Sequence, residues 1–258
     1  MAPQWDPSKV TSELVTLTNR LGDPALDLVI LGEGNTSELL AGGRILVKAS
    51  GSFMANATVE DFVEVAVDEL IGLIEDPTTT QAELTAALDG GIQAGARRRA
   101  SIEALIHASV RAFAPAHFVA HTHPTAVVSL LSSVHSEDAY RTAAFTDEAV
   151  VLGEPLWMPY APPGIELGRV FHERLRRRVD ESGHVPSLIL LANHGIVATS
   201  ATIAGAEAVS LMAVKAARVR LGAYASGGFV GLDQDQVAEY WTREDLRERR
   251  ASLSGTGT

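Results

Sequence analysis

The apolar residues 118–120, Phe-Val-Ala, lead directly into His121-Thr122-His123-Pro124, and this stretch constrains the fold more closely than any other. An apolar run of this kind predicts a strand that enters the core, and Pro124 ends the strand because proline cannot donate to a strand ladder. Side chains on a strand alternate between its two faces, so His121 and His123 project from the same face. Two imidazoles in this position can bind one cation, with Zn–N distances of about 2.0–2.1 Å. The alternative is a pair of hydrogen-bonded histidines at the end of a strand.

Size and charge narrow the class of protein. The chain has 258 residues, of which 46% are hydrophobic, so it can bury the core of one large α/β domain or of two small ones. Its 21 basic and 32 acidic residues give a net charge of −11, which argues against non-specific binding to nucleic acid or to an anionic membrane. The basic cluster of Arg174 and residues 176–178 lies among acidic residues on a predicted helix, which is typical of a solvated helix face.

The chain contains no cysteine, which excludes disulfide bonds, thiolate catalysis and sulfur-ligated metals. Any metal must therefore be held by nitrogen and oxygen. Residues 1–6 show neither the basic nor the apolar region of a signal peptide, and no apolar run reaches the roughly 18 residues of a membrane span. We therefore expect a cytoplasmic protein that does not enter membranes.

Short strand and helix patterns alternate along the chain, without an internal repeat or a linker. This predicts one α/β domain over residues 1–258, with a mixed sheet covered by helices, a core over about residues 8–225 and a C-terminal helix and tail over 226–258. The predicted helices are residues 8–21, 77–88, 101–113, 124–132, 165–179, 202–224 and 233–250. The predicted strands are residues 28–31, 44–47, 63–67, 118–123, 150–152, 156–158 and 187–192, with residues 196–199 continuing the last one. Residues 89–91 are predicted to close a helix, and residues 93–99 to form a loop.

Two glycine-containing loops follow predicted strands. Residues 32–37, Gly-Glu-Gly-Asn-Thr-Ser, resemble a dinucleotide-binding loop, but Ser37 stands where the third glycine belongs and no long helix follows. What remains is a turn whose backbone N–H groups, with the Asn35 and Ser37 side chains, can bind an anion. Residues 48–52, Lys-Ala-Ser-Gly-Ser, offer a cation, two hydroxyls and a glycine. Each loop alone is typical of a simple turn, and together they predict two walls of one oxyanion pocket.

Three further residues carry possible chemistry. Glu103 and His107 are four apart on the helix predicted from Ser101, so they share a face. Glu103 lies in the first turn, where the helix dipole favours a carboxylate, and the favoured interpretation of His107 is a buried core histidine. His194 interrupts an apolar strand just before Gly195 and is the natural third imidazole. Three histidines with one open position match a catalytic zinc pattern, in which the metal acts as a Lewis acid.

Taken together, these motifs resemble the class II aldolase/adducin family over about residues 8–225. The matching motifs are Gly34-Asn35-Thr36-Ser37, Lys48-Ala49-Ser50-Gly51, Ser101-Ile102-Glu103, His121-Thr122-His123-Pro124 and Asn193-His194-Gly195. The resemblance implies an α/β/α sandwich with a mainly antiparallel central sheet. It also implies a homotetramer with active sites between subunits.

The resemblance to L-fuculose-phosphate aldolase-like members implies a role for each matching position. His121, His123 and His194 would bind one divalent metal, Zn2+ first, with Mn2+ or Co2+ possible. Glu103 would be the catalytic acid/base. The substrate phosphate would lie against five residues, which are Gly34, Asn35, Ser50, Gly51 and Ser101.

Two positions depart from the fuculose type. Ile102 stands where those aldolases have a second serine, and Phe145 stands where they have a helper tyrosine. The pattern is closer to the aldolase portion of bifunctional rhamnulose-phosphate aldolase/dehydrogenase proteins. The resemblance therefore implies a metal-dependent lyase that performs retro-aldol cleavage of a ketose 1-phosphate or related ketose through a metal-stabilised enediolate. One alternative is a metal-dependent decarboxylase on the same scaffold, and another is a non-catalytic, adducin-like interaction module.

Overall fold

The computed structural model describes residues 5–93, 95–233, 235–238, 243, 244 and 246. The helices of this part are α1 (Ser12–Leu21), α2 (Val67–Glu75), α3 (Gln81–Ala87), α4 (Ala104–Phe113), α5 (Thr125–Leu131), α6 (Thr146–Leu152), α7 (Ile165–Ser182) and α8 (Ile203–Ala225). The strands are β1 (Asn35–Leu40), β2 (Arg44–Lys48), β3 (Phe62–Ala66), β4 (Asp89–Gln93), β5 (Ala96–Arg99), β6 (Phe118–Thr122), β7 (Leu156–Met158), β8 (Leu188–Leu191) and β9 (Gly195–Ser200).

Seven of the strands form one sheet in the order β3-β2-β1-β6-β9-β8-β7. Five of its pairings are antiparallel, and the pairing of β7 with β8 is parallel. A parallel pair needs a long crossover, which α7 provides. The predicted α/β class is thereby confirmed. The sheet is mostly antiparallel but mixed, with one parallel pair, and β4 and β5 form a separate hairpin.

The two faces of the sheet pack against different helices. On β6, Phe118 and Ala120 belong to a core cluster that also contains Leu14 of α1 and residues of α5 and α8. Val119 faces the opposite way, in a cluster with Phe171 of α7 and residues of α4. The alternation that predicted β6 therefore places helices on both sides of the sheet. His121, two residues after Val119, lies on the α4 side.

Helix α1 shows why the sequence pattern predicts most helices. Leu14, Leu17 and Leu21 recur on one face and are buried against the sheet. The helix begins at Ser12 rather than at residue 8 because the side chain of Thr11 accepts a hydrogen bond from the N–H of Leu14 at 3.1 Å and caps it.

The strand predicted at residues 28–31 is wrong. Leu28 is buried, but Ile30 and Leu31 are 63% and 76% exposed, and Leu31 has a left-handed backbone with φ 52°. The first strand begins at Asn35 instead, so three residues of the predicted loop 32–37 lie on β1. Asn35 pairs with His121 in the sheet, which brings the first motif to the histidines.

The strand predicted at residues 150–152 is also wrong, because these residues end α6. Glu148 in this helix forms a bidentate ion pair with Arg220 of α8, at 2.6 and 2.9 Å, and both side chains are buried. A short apolar run does not distinguish a strand from a buried helix, and here the tertiary contact between α6 and α8 decides.

Two further local predictions are also wrong. Where the sequence predicts a helix cap at residues 89–91 and a loop at residues 93–99, β4 and β5 form a hairpin, and an ion pair joins Arg97 Nη1 to Asp89 Oδ2 at 2.7 Å. Residues 196–199 do not continue the preceding strand, because β9 reverses and pairs antiparallel with β8. The helix and tail predicted at 233–258 fall largely outside the described residues. Within the residues that the structure describes, no helix is long and apolar enough to cross a membrane.

Candidate metal-binding active site

Three histidines meet at one end of the central strands. His121 is on β6, His123 follows this strand, and His194 lies in the turn between β8 and β9. The Nε2 atoms of His121 and His123 are 2.9 Å apart, and the three ring centroids are 4.7 to 4.9 Å apart. The structure therefore brings together all three residues that were predicted as metal ligands.

The tight reversal between β8 and β9 presents His194. Asn193 adopts a left-handed conformation with φ 54°, which asparagine tolerates better than most residues. The N–H of His194 donates to the Leu191 carbonyl at 3.1 Å and closes the turn. The prediction of His194 as the third imidazole rested on a strand end, and the structure places it on a hairpin turn.

Glu103 completes the cluster. Its Oε1 lies 2.9 Å from His194 Nε2 and 3.2 Å from His121 Nε2. The candidate ligand atoms of Glu103 and the three histidines all lie within 4.8 Å of one another. Glu103 is the N-cap of α4, one position before the predicted first turn, and its N–H donates to Ser101 Oγ at 3.3 Å.

This donor set suits a divalent cation. His121 Nδ1 donates to the Ile196 carbonyl at 2.8 Å, so Nε2 is the nitrogen that faces the cluster and the one that a cation would bind. Two nitrogen atoms as close as those of His121 and His123 need a proton or a cation between them. Three imidazoles and a carboxylate are ligands that zinc, manganese and cobalt accept.

The charges of the cluster are coupled. Burial favours the neutral form of Glu103, but His121 and His194 outweigh it and hold the pKa of the carboxyl well below its usual range. Burial opposes protonation of His121 too, and the Glu103 carboxylate more than offsets it, so the pKa of His121 is raised. Burial and the neighbouring His121 and His194 lower the pKa of His123 to about 3, which keeps it neutral and able to bind a metal.

The side chain of Asn35 connects this cluster to His107. Asn35 Nδ2 donates to Glu103 Oε2 at 2.9 Å and to Ser101 Oγ at 3.1 Å, and Asn35 Oδ1 lies 2.5 Å from His107 Nε2. His107 is buried as predicted, but the sequence did not reveal its contact with Asn35. The two residues are 72 positions apart, and no local pattern signals the contact.

The two predicted anion-binding loops do meet. A Cβ on Gly32 would lie 3.6 Å from the Cα of Gly51, so the loops pass within van der Waals distance. Ser50 N donates to the Arg99 carbonyl at 2.8 Å, and Ser101 N donates to the Lys48 carbonyl at 3.2 Å. Gly34 has φ 66°, and a Cβ there would be 2.9 Å from the His121 carbonyl, so glycine is required for this close approach. All five residues predicted to bind the phosphate lie in these neighbouring segments.

Lys48 is a buried cation beside these loops. Its Nζ donates to the carbonyls of Ala49 at 3.1 Å and Ser52 at 2.5 Å, which fixes the turn that carries Ser50 and Gly51. Burial lowers the pKa of Lys48 from 10.5 to about 8, although Asp61 and Glu103 act in the opposite direction.

The contribution of Lys48 to the free energy of unfolding should therefore change with pH in the alkaline range. Between about pH 8 and 10.5 the folded chain has released the Lys48 proton while the unfolded chain keeps it. Because the unfolded state then binds more protons, the free energy of unfolding rises with pH. Across this range, we expect the free energy of unfolding of wild type to rise by up to about 3 kcal/mol more than that of Lys48→Met. Urea unfolding of both proteins at pH 7 and pH 10 measures the gain, and a difference that does not change with pH would contradict it.

The two departures from the fuculose pattern lie in packed surroundings. Ile102 Cδ1 is 3.2 Å from the position that a Cβ on Gly164 would take, at the turn before α7. The ring of Phe145 packs against the core, 4.9 Å from Lys215 Nζ of α8. Neither contact involves Glu103 or the three histidines.

The sequence model of the Class II Aldolase and Adducin N-terminal domain family matches residues 12–221. The chain belongs to this family. Its fold is similar to the crystal structure of YgbL from Klebsiella pneumoniae, a putative aldolase/epimerase/decarboxylase, with 18% identity, a TM-score of 0.65, and coverage of 93% of this chain and 99% of that one. It is also similar to L-fuculose 1-phosphate aldolase from Glaciozyma antarctica PI12, with 19% identity, a TM-score of 0.62, and coverage of 93% and 84%. These likenesses establish the family fold.

A curated relative of this family member is the "Uncharacterized oxidoreductase YuxG" of Bacillus subtilis. The two are 29% identical over 197 residues, which cover 73% of this chain and 26% of the relative. The chain thus spans about a quarter of the length of that relative.

Proposed function

We propose that the protein is a divalent-metal-dependent carbon–carbon lyase that cleaves a ketose 1-phosphate, or a related ketose, in the retro-aldol direction. The observation that carries the proposal is the convergence of the Glu103 carboxylate with the imidazoles of His121, His123 and His194. A solved structure of similar fold is an L-fuculose 1-phosphate aldolase, which is consistent with this reaction class.

The proposed reaction assigns each group a task. The three histidines would hold a zinc, manganese or cobalt ion, which would supply a Lewis acid for negative charge on the substrate oxygens. Removal of the proton from the distal hydroxyl breaks the carbon–carbon bond, so an aldehyde leaves and the electron pair stays on the other fragment. Glu103, ionised at neutral pH, would take up a proton released in this step and deliver it to the carbon that keeps the electron pair, so the proton lost by the hydroxyl is balanced by the one that the carbon gains.

The substrate phosphate is proposed to lie between the two loops, against Gly34, Asn35, Ser50, Gly51 and Ser101. Backbone N–H groups of such turns and serine hydroxyls are suitable donors to an anion. The hydroxyl oxygen of Ser101 accepts hydrogen bonds from Asn35 Nδ2 and from the backbone N–H of Glu103. Its own proton therefore stays available for a phosphate oxygen.

A decarboxylase is the second candidate. Loss of carbon dioxide from a 3-oxo acid leaves an enolate, for which the same metal and the same proton donor serve. Ile102 replaces a hydroxyl of the fuculose type, and one structure of similar fold is named a putative aldolase/epimerase/decarboxylase. The match covers only 26% of YuxG, so we do not assign the oxidoreductase activity in its name to this chain.

We also retain the homotetramer that the family resemblance implies, with a cytoplasmic location and a sugar or sugar phosphate as the substrate. The apolar side chains of Ile30, Leu31 and Phe53 are 63%, 76% and 49% exposed in the loops beside the site, and contact between subunits would bury them.

The test begins with bound metal. Elemental analysis should find about one divalent ion per wild-type chain and none in His121→Ala, while His135→Ala keeps the ion because His135 stacks on Tyr224 outside the cluster. Metal-loaded protein is then screened with ketose 1-phosphates for aldehyde release and with 3-oxo acids for carbon dioxide release. Aldehyde supports the lyase, and carbon dioxide supports the decarboxylase. A folded wild type that takes up no added zinc, manganese or cobalt would overturn both and leave the adducin-like interaction module.

A further inference from the structure

We infer that His107, acting through Asn35, is a positioning residue that fixes the orientation of the Glu103 carboxylate. The inference rests on the role proposed for Glu103. It gives the Asn35 side chain a task besides the phosphate contact that the family resemblance implies, and it gives His107 a task beyond filling the core.

The side-chain amide of Asn35 uses both of its N–H donors in hydrogen bonds within the protein. Asn35 is 1% exposed, and its two Nδ2 protons are directed at Glu103 Oε2 and Ser101 Oγ. Its Oδ1 is 2.5 Å from His107 Nε2. A buried amide with both donors and its acceptor in use is fixed in one orientation, so it can in turn hold the Glu103 carboxylate.

One orientation of the Asn35 amide is compatible with Glu103. A flipped amide would place Oδ1 against Glu103 Oε2, where two oxygen acceptors repel each other. The amide therefore needs a donor at its Oδ1, which His107 supplies only if Nε2 carries the ring proton. Ser37 Oγ, 2.5 Å from His107 Nδ1, donates to that nitrogen and selects the same tautomer.

The scaffold holds this chain of contacts rigidly. Ser37 and Asn35 are two apart on β1, so both face α4, where His107 lies one turn after Glu103. Arg111, the next residue along this face, donates to the carbonyls of His107 at 3.4 Å and Ser37 at 3.2 Å. Burial lowers the pKa of His107 well below its ordinary value, with Arg111 and His121 acting in the same direction and Glu103 opposing them. His107 is thus a neutral donor at neutral pH.

Two substitutions at one position separate this role from simple packing. In His107→Gln the amide nitrogen takes the place of Nε2 and can still donate to Asn35. In His107→Asn the shorter amide takes the place of Nδ1, so it reaches Ser37 but not Asn35. Both variants bury an uncharged amide in the same site, and a purely structural role would affect them alike.

The readout is metal affinity, because Glu103 Oε1 lies among the candidate ligand atoms. Cobalt titration followed by visible absorption, with competition by zinc, gives the dissociation constants. We expect His107→Asn to raise the metal dissociation constant by about 10–100-fold, because this is the usual effect of losing a group that orients a metal ligand. The dissociation constant of His107→Gln should stay close to that of wild type. Ser109→Ala, a buried change on the same helix, should have no effect on affinity. In a Glu103→Ala background His107→Asn should cause no further loss.

Equal dissociation constants for His107→Asn and His107→Gln would overturn the inference while the proposed function stands. A wild type that binds no metal would overturn the proposed function, and NMR of the metal-free protein then tests the inference independently. The ring nitrogens of His107 should show a proton on Nε2 and none on Nδ1, unchanged between pH 6 and pH 8. The opposite tautomer, or titration in that range, would overturn it.

Discussion

Replacement of Glu103 by glutamine is expected to lower the turnover of the metal-loaded enzyme by about 10²–10⁴-fold, the usual contribution of a positioned acid/base. The carboxylate is ionised, faces His121 and His194, and is held at its other oxygen by Asn35. Glutamine keeps the shape and the hydrogen bond to Asn35 but cannot exchange a proton. The three imidazoles remain, so metal content should stay near one ion per chain when metal is supplied well above the dissociation constant of the variant. Steady-state kinetics on the substrate that the screen identifies, with elemental analysis of the same preparation, measures both quantities.

Glu33→Gln is the matched control for this prediction. Glu33 is a second carboxylate near the cluster, with Oε1 3.8 Å from His123 Nδ1, too far for a hydrogen bond. Its other oxygen accepts from the N–H of Ile30 at 3.0 Å, which gives it a local structural task. Full turnover in Glu103→Gln, or an equal loss in Glu33→Gln, would contradict the role proposed for Glu103.

The sequence pattern alone predicted the structure correctly where the placement of side chains depends only on their spacing within one helix or strand. The alternation along β6 predicted that His121 and His123 share a face, and they do. The leucines of α1 predicted a helix for the same reason, since burial on one side repeats at the period of the element.

Pattern failed where a contact between distant segments decides the structure. Residues 28–31 and 150–152 are both apolar enough for a strand. The first segment is a loop in which Leu28 is buried but Ile30 and Leu31 are exposed, and the second ends a helix that the Glu148–Arg220 pair holds. His107 and Asn35 show the same limit within the site, because the register that joins β1 to α4 is set by the whole sheet. The sequence identified which residues converge, but not which of them hold the others in place.

Replacement of Gly195 by alanine should disrupt both the fold and the metal site, since a side chain on this residue of β9 would collide with the end of β6 and with His123. A Cβ there would be 2.4 Å from the Thr122 carbonyl oxygen and 2.8 Å from Cδ2 of His123. Neither atom is the end of a flexible side chain, so the strands must separate and the His123 ring must turn. We expect a loss of about 1–3 kcal/mol in the free energy of unfolding, typical of overpacking, and at least about a tenfold weaker metal affinity.

Gly222→Ala provides the matched control for this change. Gly222 lies in α8, and a Cβ there would meet nothing within 4 Å. Because glycine in a helix interior costs about 0.5–1 kcal/mol relative to alanine, this variant should be more stable than wild type and should bind metal normally. Urea unfolding and cobalt titration of both variants separate the effects. If Gly195→Ala matched Gly222→Ala in both measurements, β6 and β9 would not approach each other as described, and the position of His123 would have to be set by something other than this contact.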